Sequence, residues 1–243
     1  MKFYPITPPM QVRLLTMFHN GSHMVPADYV LRDIPYGNIM RYYHNIGHTI
    51  ILLCDPDMSC HEVLTAAERV RPDEIILPDV PGNAEGTIRA WRAFPRHKLG
   101  RIRIAYVPQG NTMDEWMGCA SAIYPSSYED AGIHTVVMST GSCSRFCQSR
   151  AELYNQYMRV YGRMYHVHIL GMMGRGIEEI QELRRIDTIG CIDGISSMAH
   201  ITNAQWGLHL GLSNVGHTYR CDMEVDLRMA EVNYYTITKA CIS

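Results

Sequence analysis

The chain has no apolar run close to the roughly 18–20 residues that cross a bilayer, so nothing in it predicts a membrane partner. Its opening, MKFYPITPPMQ, places prolines and a threonine where a secretory leader carries its apolar stretch. Eight cysteines are present, but they lack the spacing of a secreted, disulfide-stapled domain, and several sit inside apolar runs as small hydrophobes. Together these features predict a cytoplasmic protein. A net charge of −2 gives no global basic field for a polynucleotide. No low-complexity linker and no internal repeat divides the sequence, which predicts a single domain over residues 1–243.

What the chain does contain is an alternation. Short apolar runs predict strands at 12–18 (VRLLTMF), 48–54, 74–78, 101–108, 134–139, 165–170 and 188–192. Between them the patterning predicts helices at 61–70, 87–94, 113–122, 150–161 and 177–185, and a closing helix over 222–235. Strand–helix alternation implies a parallel sheet with right-handed crossovers. Seven strands are evident and an eighth is not, yet 243 residues suit a barrel of about 250. The predicted fold is a (β/α)8 TIM-type barrel, trimmed or irregular at its termini. A doubly wound open sheet is the rival.

Five runs end in a polar or tight-turning residue: Asp55, Asp79, Gln109, Gly171 and Asp193. Reactive residues at the carboxyl ends of several strands are the layout of a barrel's active mouth. Asp193 precedes Gly194, which lets the backbone turn and present the carboxylate; helix capping is the plainer use. Asp79 is framed by Pro78 and Pro81, which stiffen its loop. Asp55 and Asp57 share CDPDM, where neighbouring carboxylates could raise one pKa or simply form a turn. The Gln109 amide, before Gly110, can donate and accept, which suits a nucleobase edge. The three glycines of GMMGRG match a phosphate loop only loosely.

Arg96, Lys98 and Arg101 belong to a local basic stretch, either a solvated helix exit or a phosphate-contacting patch. Tyr36, Tyr42 and Tyr43 suit packing or base stacking. No metal ligand is assigned: Cys143, Cys147, His209, His217 and Cys221 match no compact zinc motif, so structural zinc is unsupported. His166 and His168 share one strand face and read as barrel-lining residues.

In order along the chain, LPDVPGNAEGT, YVPQG, HILGM and IGCIDGISSM resemble motifs of the tRNA-guanine transglycosylase superfamily. The nearest likeness is to its compact phage and bacterial members that insert 7-deazaguanines into DNA. The resemblance runs from about Thr49 to His200. It implies Asp193 as the nucleophile on the sugar C1′ and Asp55 as the proton-handling carboxylate, with Asp57 competing for that place. It implies Asp79, Gln109, Gly110 and the backbone N–H near Gly171 as the guanine site. The implied reaction is base exchange through a covalent aspartyl-glycosyl intermediate, on a flipped or unpaired base.

No cofactor is implied. The implied partners are a nucleic acid, DNA favoured over tRNA, a free 7-deazaguanine and a possible second copy of the chain. The setting would be host cytoplasm if the protein is phage-encoded. CDPDM replaces the family's glycine-rich turn, and its CxCxxC zinc site is absent. Three further readings remain: a tRNA enzyme of the same superfamily; a metal-dependent barrel lyase or hydrolase with Asp55, Asp79 and Asp193 as ligands; and a non-catalytic barrel that binds nucleic acid through its basic stretch.

Overall fold

β-Branched and leucine-rich runs with helix-forming segments between them bury both faces of every strand, and only a sheet wrapped by helices satisfies that pattern. The structure, a computed structural model, describes all residues except 18–20, 124–132, 148, 163–165, 173–175, 211–219, 221–222 and 243. Eight parallel strands form a nearly closed (β/α)8 barrel. They are β1 (Lys2–Pro5), β2 (Ser22–Pro26), β3 (Thr49–Leu53), β4 (Glu74–Ile76), β5 (Arg103–Tyr106), β6 (Ile133–Ser139), β7 (His166–Leu170) and β8 (Ile192–Ser197). Strand pairing runs in order around the sheet, with β1 returning to pair with β8. Between β1 and β2 the ring is joined by the isolated parallel bridge Ile6–Met24.

The helices are α1 (Ala27–Arg32), α2 (Ile34–Asn45), α3 (Cys60–Val70), α4 (Ala84–Ala93), α5 (Met113–Ile123), α6 (Thr140–Cys143), α7 (Arg150–Tyr161), α8 (Ile177–Ile186), α9 (Ala199–Gln205) and α10 (Leu227–Ile242). α3 shows why such segments form where they do. Ser59 and Glu62 close a capping box, and Val63, Ala66, Ala67 and Val70 bury one stripe against the sheet. The helix ends at Arg71, just before Pro72. No described helix is long and apolar enough to cross a membrane.

Period-two alternation splits each strand between two cores. Outward residues such as Val25, Leu52, Ile75, Val136 and Ile169 pack beneath the helices. Inward residues fill the barrel: Tyr4, Met24, Ile51, Ile76, Ala105 and Val137. The interior is therefore packed, as in other small barrels.

Two expectations fail at the amino terminus. The segment predicted as strand 12–18 is a 3₁₀ stretch, Pro9–Met17, and Phe18 lies outside the described residues. The Pro8-Pro9 pair presets φ for a helical first turn. The missing strands are β1 and β2. The third failure is β8, which begins at Ile192 rather than ending there. Residues 188–191 form a turn, in which Gly190 takes φ 70° and the Asp187 carboxylate accepts from the Cys191 and Ile192 amides at 2.8 and 2.9 Å. The closing helix also lies further on than the sequence suggests, at Leu227–Ile242, and Asp222 is outside the described residues.

Gly194 belongs to the barrel's tight inner packing. A Cβ there would stand 2.4 Å from the Tyr4 ring and 2.8 Å from the Lys2 carbonyl. Gly194→Ala is expected to lower unfolding stability by about 1–3 kcal/mol through overpacking. Urea unfolding followed by far-UV circular dichroism measures it.

Candidate active site

The carboxyl ends of β3 to β7 surround a cleft of about 240 Å³, lined among others by Leu53, Asp55, Asp79, Val107, Gln109 and Arg145. Its base is apolar and its rim is polar. The loop after β4 is fixed by its own chemistry. Asn83 caps α4 by accepting from Gly86 N at 2.8 Å, and the Thr87 hydroxyl accepts from Val80 N at 3.0 Å. Asp79 therefore sits on a stiff segment, half-buried at the mouth.

Gln109 is buried and organises the polar side. Its amide nitrogen donates to Asp79 Oδ2, while its oxygen accepts from Gly82 N at 2.9 Å and from Arg145 Nη1 at 3.3 Å. One side chain thus connects a carboxylate to a guanidinium. Burial pushes the Asp79 pKa up to about 6, against the opposing pull of its own backbone, Gln109 and Arg145. Such a carboxyl is mostly ionised at pH 7 yet accepts a proton readily. Asp55 stands elsewhere on the same cleft. Its pKa is also raised, by burial first and then by Asp28 and Asp57, with Arg32 opposing.

The structure brings Asp55, Asp79 and Gln109 together, and adds Arg145, which sequence reasoning missed. Arg145 follows α6, where no apolar run or glycine motif marked a site. Asp57 is exposed and lies outside the cleft lining. Gly110 serves packing: a Cβ there would approach Trp116 N to 2.5 Å. The Gly171 N–H itself is already donated to Ser196 O at 2.8 Å. Its carbonyl is also occupied, accepting from Arg150 Nη2 at 3.0 Å.

Arg150 supports this side of the mouth from below. Its side chain is fully buried and forms a forked pair with Glu179, with Nε to Oε1 at 2.8 Å and Nη2 to Oε2 at 2.6 Å. Its other hydrogens reach Met138 O at 3.1 Å, Leu170 O at 2.9 Å and Gly171 O. All five guanidinium N–H groups are therefore used. They tie the ends of β6 and β7 to α8.

Asp193 lies at the other end of the barrel. It is the second residue of β8, where the pairing with β7 skips from Val167–Ile192 to His168–Gly194, leaving Asp193 as the bulged residue. There it pairs with His166 Nδ1 at 2.9 Å, near the Glu74–Arg103 pair at 3.3 Å. The charges of Asp193 and Glu74 add to burial in pushing the Tyr4 pKa up to about 12. These groups form the floor at the strands' amino ends, the face of such barrels that serves stability. Asp193 cannot act with Asp79 and Asp55 on one substrate atom or one metal ion. The three-aspartate ligand set is corrected on the same ground.

Arg96, Lys98 and Arg101 also fall away from the mouth, between α4 and β5. Arg96 stacks over the Trp91 ring at 4.6 Å, while Lys98 and Arg101 are exposed. Of the aromatic trio, Tyr36 is buried with its hydroxyl donating to Thr7 O at 2.7 Å, Tyr43 packs on His23 and His48, and Tyr42 is exposed. His168 lines the barrel and bonds to Ser196 Oγ at 3.0 Å. Among the described residues no three His, Cys, Asp or Glu side chains cluster as a metal site. His217, Cys221 and the middle of GMMGRG lie outside those residues.

No protein-family model matches the chain, and no curated protein matches it in sequence. Solved structures do resemble it. The 3-hexulose-6-phosphate synthase of Salmonella typhimurium aligns with a TM-score of 0.56 at 10% identity, over 99% of this chain and 100% of that one. The N-acetylneuraminate lyase of Mycoplasma synoviae aligns at 0.50 and 11%, over 99% and 98%. The catalytic domain of a Pyrococcus furiosus chitinase aligns at 0.52 and 11%, over 99% and 96%. A synthase, a lyase and a chitinase share the barrel at these identities, so the likeness establishes the fold and not a chemistry. The transglycosylase resemblance is overturned. These neighbours are other barrel enzymes, no family model supports the superfamily, and the residue expected to attack the sugar sits in the barrel floor.

Proposed function

We propose that the chain is an enzyme working at the carboxyl-end mouth of its barrel on a small anionic molecule, by a lyase- or isomerase-type proton transfer. Asp79 is the general base and acid, Arg145 holds the substrate's carboxylate or phosphate, and Gln109 keeps the two in register. The observation that carries this reading is the Asp79–Gln109–Arg145 connection. It couples a carboxyl with a near-neutral pKa to an exposed cation across a cleft with an apolar base. A cleft of about 240 Å³ suits a small molecule. A C–H acidified by a neighbouring carbonyl would give its proton to Asp79, and the anion beside Arg145 would fix which C–H is presented. The barrel lyases and synthases among the structural neighbours are compatible with this class.

Deuterium exchange tests the proposal. The protein is incubated in D₂O with a panel of 2-oxo acids and phosphorylated hydroxyketones, and loss of C–H signal is followed by proton NMR. At least one compound should exchange, with a rate that rises as pH passes about 6, following Asp79 ionisation. Asp193→Asn should exchange like the wild type, because Asp193 stands in the floor. If no compound exchanges above the rate of Asp79→Asn, the reading fails.

A further inference from the structure

Beyond the cleft, the turn that carries Arg145 holds two thiols. Cys143 ends α6 and Cys147 lies one helical turn on, with Cys147 N donating to Cys143 O at 3.0 Å. Both are buried, and the Cys147 side chain folds back against Cys143. The Cys147 sulfur also donates to Cys143 O at 3.1 Å, and Cys143 Sγ touches Ser142 Oγ at 3.6 Å. Ser142 and Arg145 both line the cleft.

We propose that Cys143 and Cys147 are a modification site: a pair of thiols, beneath the turn that lines the mouth, that a peroxide closes to a disulfide. Cys147 is the attacking sulfur. The neighbouring Cys143 side chain lowers its thiol below the ordinary range, and the Arg150 guanidinium acts in the same direction, while burial, Glu152 and Glu179 oppose. Cys143 itself is held well above that range, so the two thiols are unequal.

The chemistry balances with the peroxide as oxidant. The Cys147 thiolate attacks one peroxide oxygen, the O–O bond breaks, and the departing hydroxide takes up a proton to become water. Cys147 is left as a sulfenic acid. The Cys143 sulfur then attacks the Cys147 sulfur, the S–O bond breaks, and a second water leaves. Two thiols and one hydrogen peroxide give one disulfide and two waters.

Residues one helical turn apart hold their Cβ atoms about 5–6 Å apart, and a disulfide needs roughly 3.5–4.5 Å. Closing the bond must tighten the 143–147 turn. Arg145 lies inside that loop, so the bond acts on the residue that reaches Gln109.

The test uses the whole 243-residue chain and needs no substrate, so it stands or falls apart from the proposed activity. The protein is treated with hydrogen peroxide, blocked with an alkylating agent and digested with trypsin. Cleavage after Arg145 separates Cys143 from Cys147 unless a disulfide joins them. The expected result is a cross-linked pair of peptides lighter by two hydrogens, reversed by dithiothreitol. It should form about ten-fold faster than thiols are lost at buried Cys54, Cys119 or Cys241. In Cys143→Ser, dimedone should trap a sulfenic acid on Cys147. The proposal is overturned if Cys147 stays a free thiol while exposed Cys60 oxidises. It is equally overturned if Cys147 oxidises in the wild type without joining Cys143.

Discussion

Arg150→Met should cost about 3–5 kcal/mol of unfolding stability, the largest effect expected of any single change at this site. The substitution removes the guanidinium fork from Glu179, so that buried carboxylate loses two charge-assisted hydrogen bonds that offset its desolvation. It also withdraws hydrogen bonds from the carbonyls of Met138, Leu170 and Gly171. Breaking a buried pair by removing one partner is costly, whereas replacing both partners with apolar groups is often nearly neutral. The double variant Arg150→Met, Glu179→Leu should therefore regain much of the loss. Urea unfolding of the two variants side by side measures both effects. A double variant no more stable than Arg150→Met would show that the carbonyl ties, rather than the charge, hold this side of the barrel.

Asp79→Asn should reduce any proton-transfer activity by about 10²–10⁴-fold, the usual contribution of a positioned general base. The same change should make the protein more stable at neutral pH. Folding raises the Asp79 pKa from an ordinary 3.8 to about 6, so the folded state holds the proton more tightly than the unfolded chain. The stability that protonation confers is present below pH 4 and is lost as pH rises towards 6. Above that pH the wild type carries a buried charge at a constant penalty. Asparagine can still accept from Gln109 and carries no charge. With solvent screening at the half-exposed mouth, the gain should be about 1 kcal/mol at pH 7.5 and should vanish near pH 4. Thermal unfolding across this pH range measures it. Loss of activity together with gain of stability is the mark of a residue kept for chemistry.

Much of the barrel can be read from residues whose surroundings are local. The helix expected at 150–161 is α7 as found, and the strand at 165–170 differs from β7 by one residue, since hydrophobic period and capping act within a few positions. β1 and β2 carry little signal in the sequence because KFYP and SHMVP are short and end in proline, which marks a loop as readily as a strand end. β8 is hard to place because IGCI is as apolar as a strand, while the buried ISS within β8 is not.

The site divides in the same way. Asp79 and Gln109 follow well-marked strands, and their partnership crosses from one strand end to the next. Arg145 and the Arg150–Glu179 pair depend on contacts between elements distant in sequence, which no local pattern encodes. Asp193 depends on where its strand begins: with β8 starting at Ile192, the carboxylate stands at the amino end of the barrel and not at the mouth.

The ring of strands is not equally strong all round. Seven of its joints are ladders, and the eighth is the single bridge between Ile6 and Met24. A hoop under thermal strain parts at its thinnest seam. The cleft spans β3 to β7, away from that seam. When the barrel breathes it can do so along β1 and β2 without disturbing the geometry of Asp79, Gln109 and Arg145.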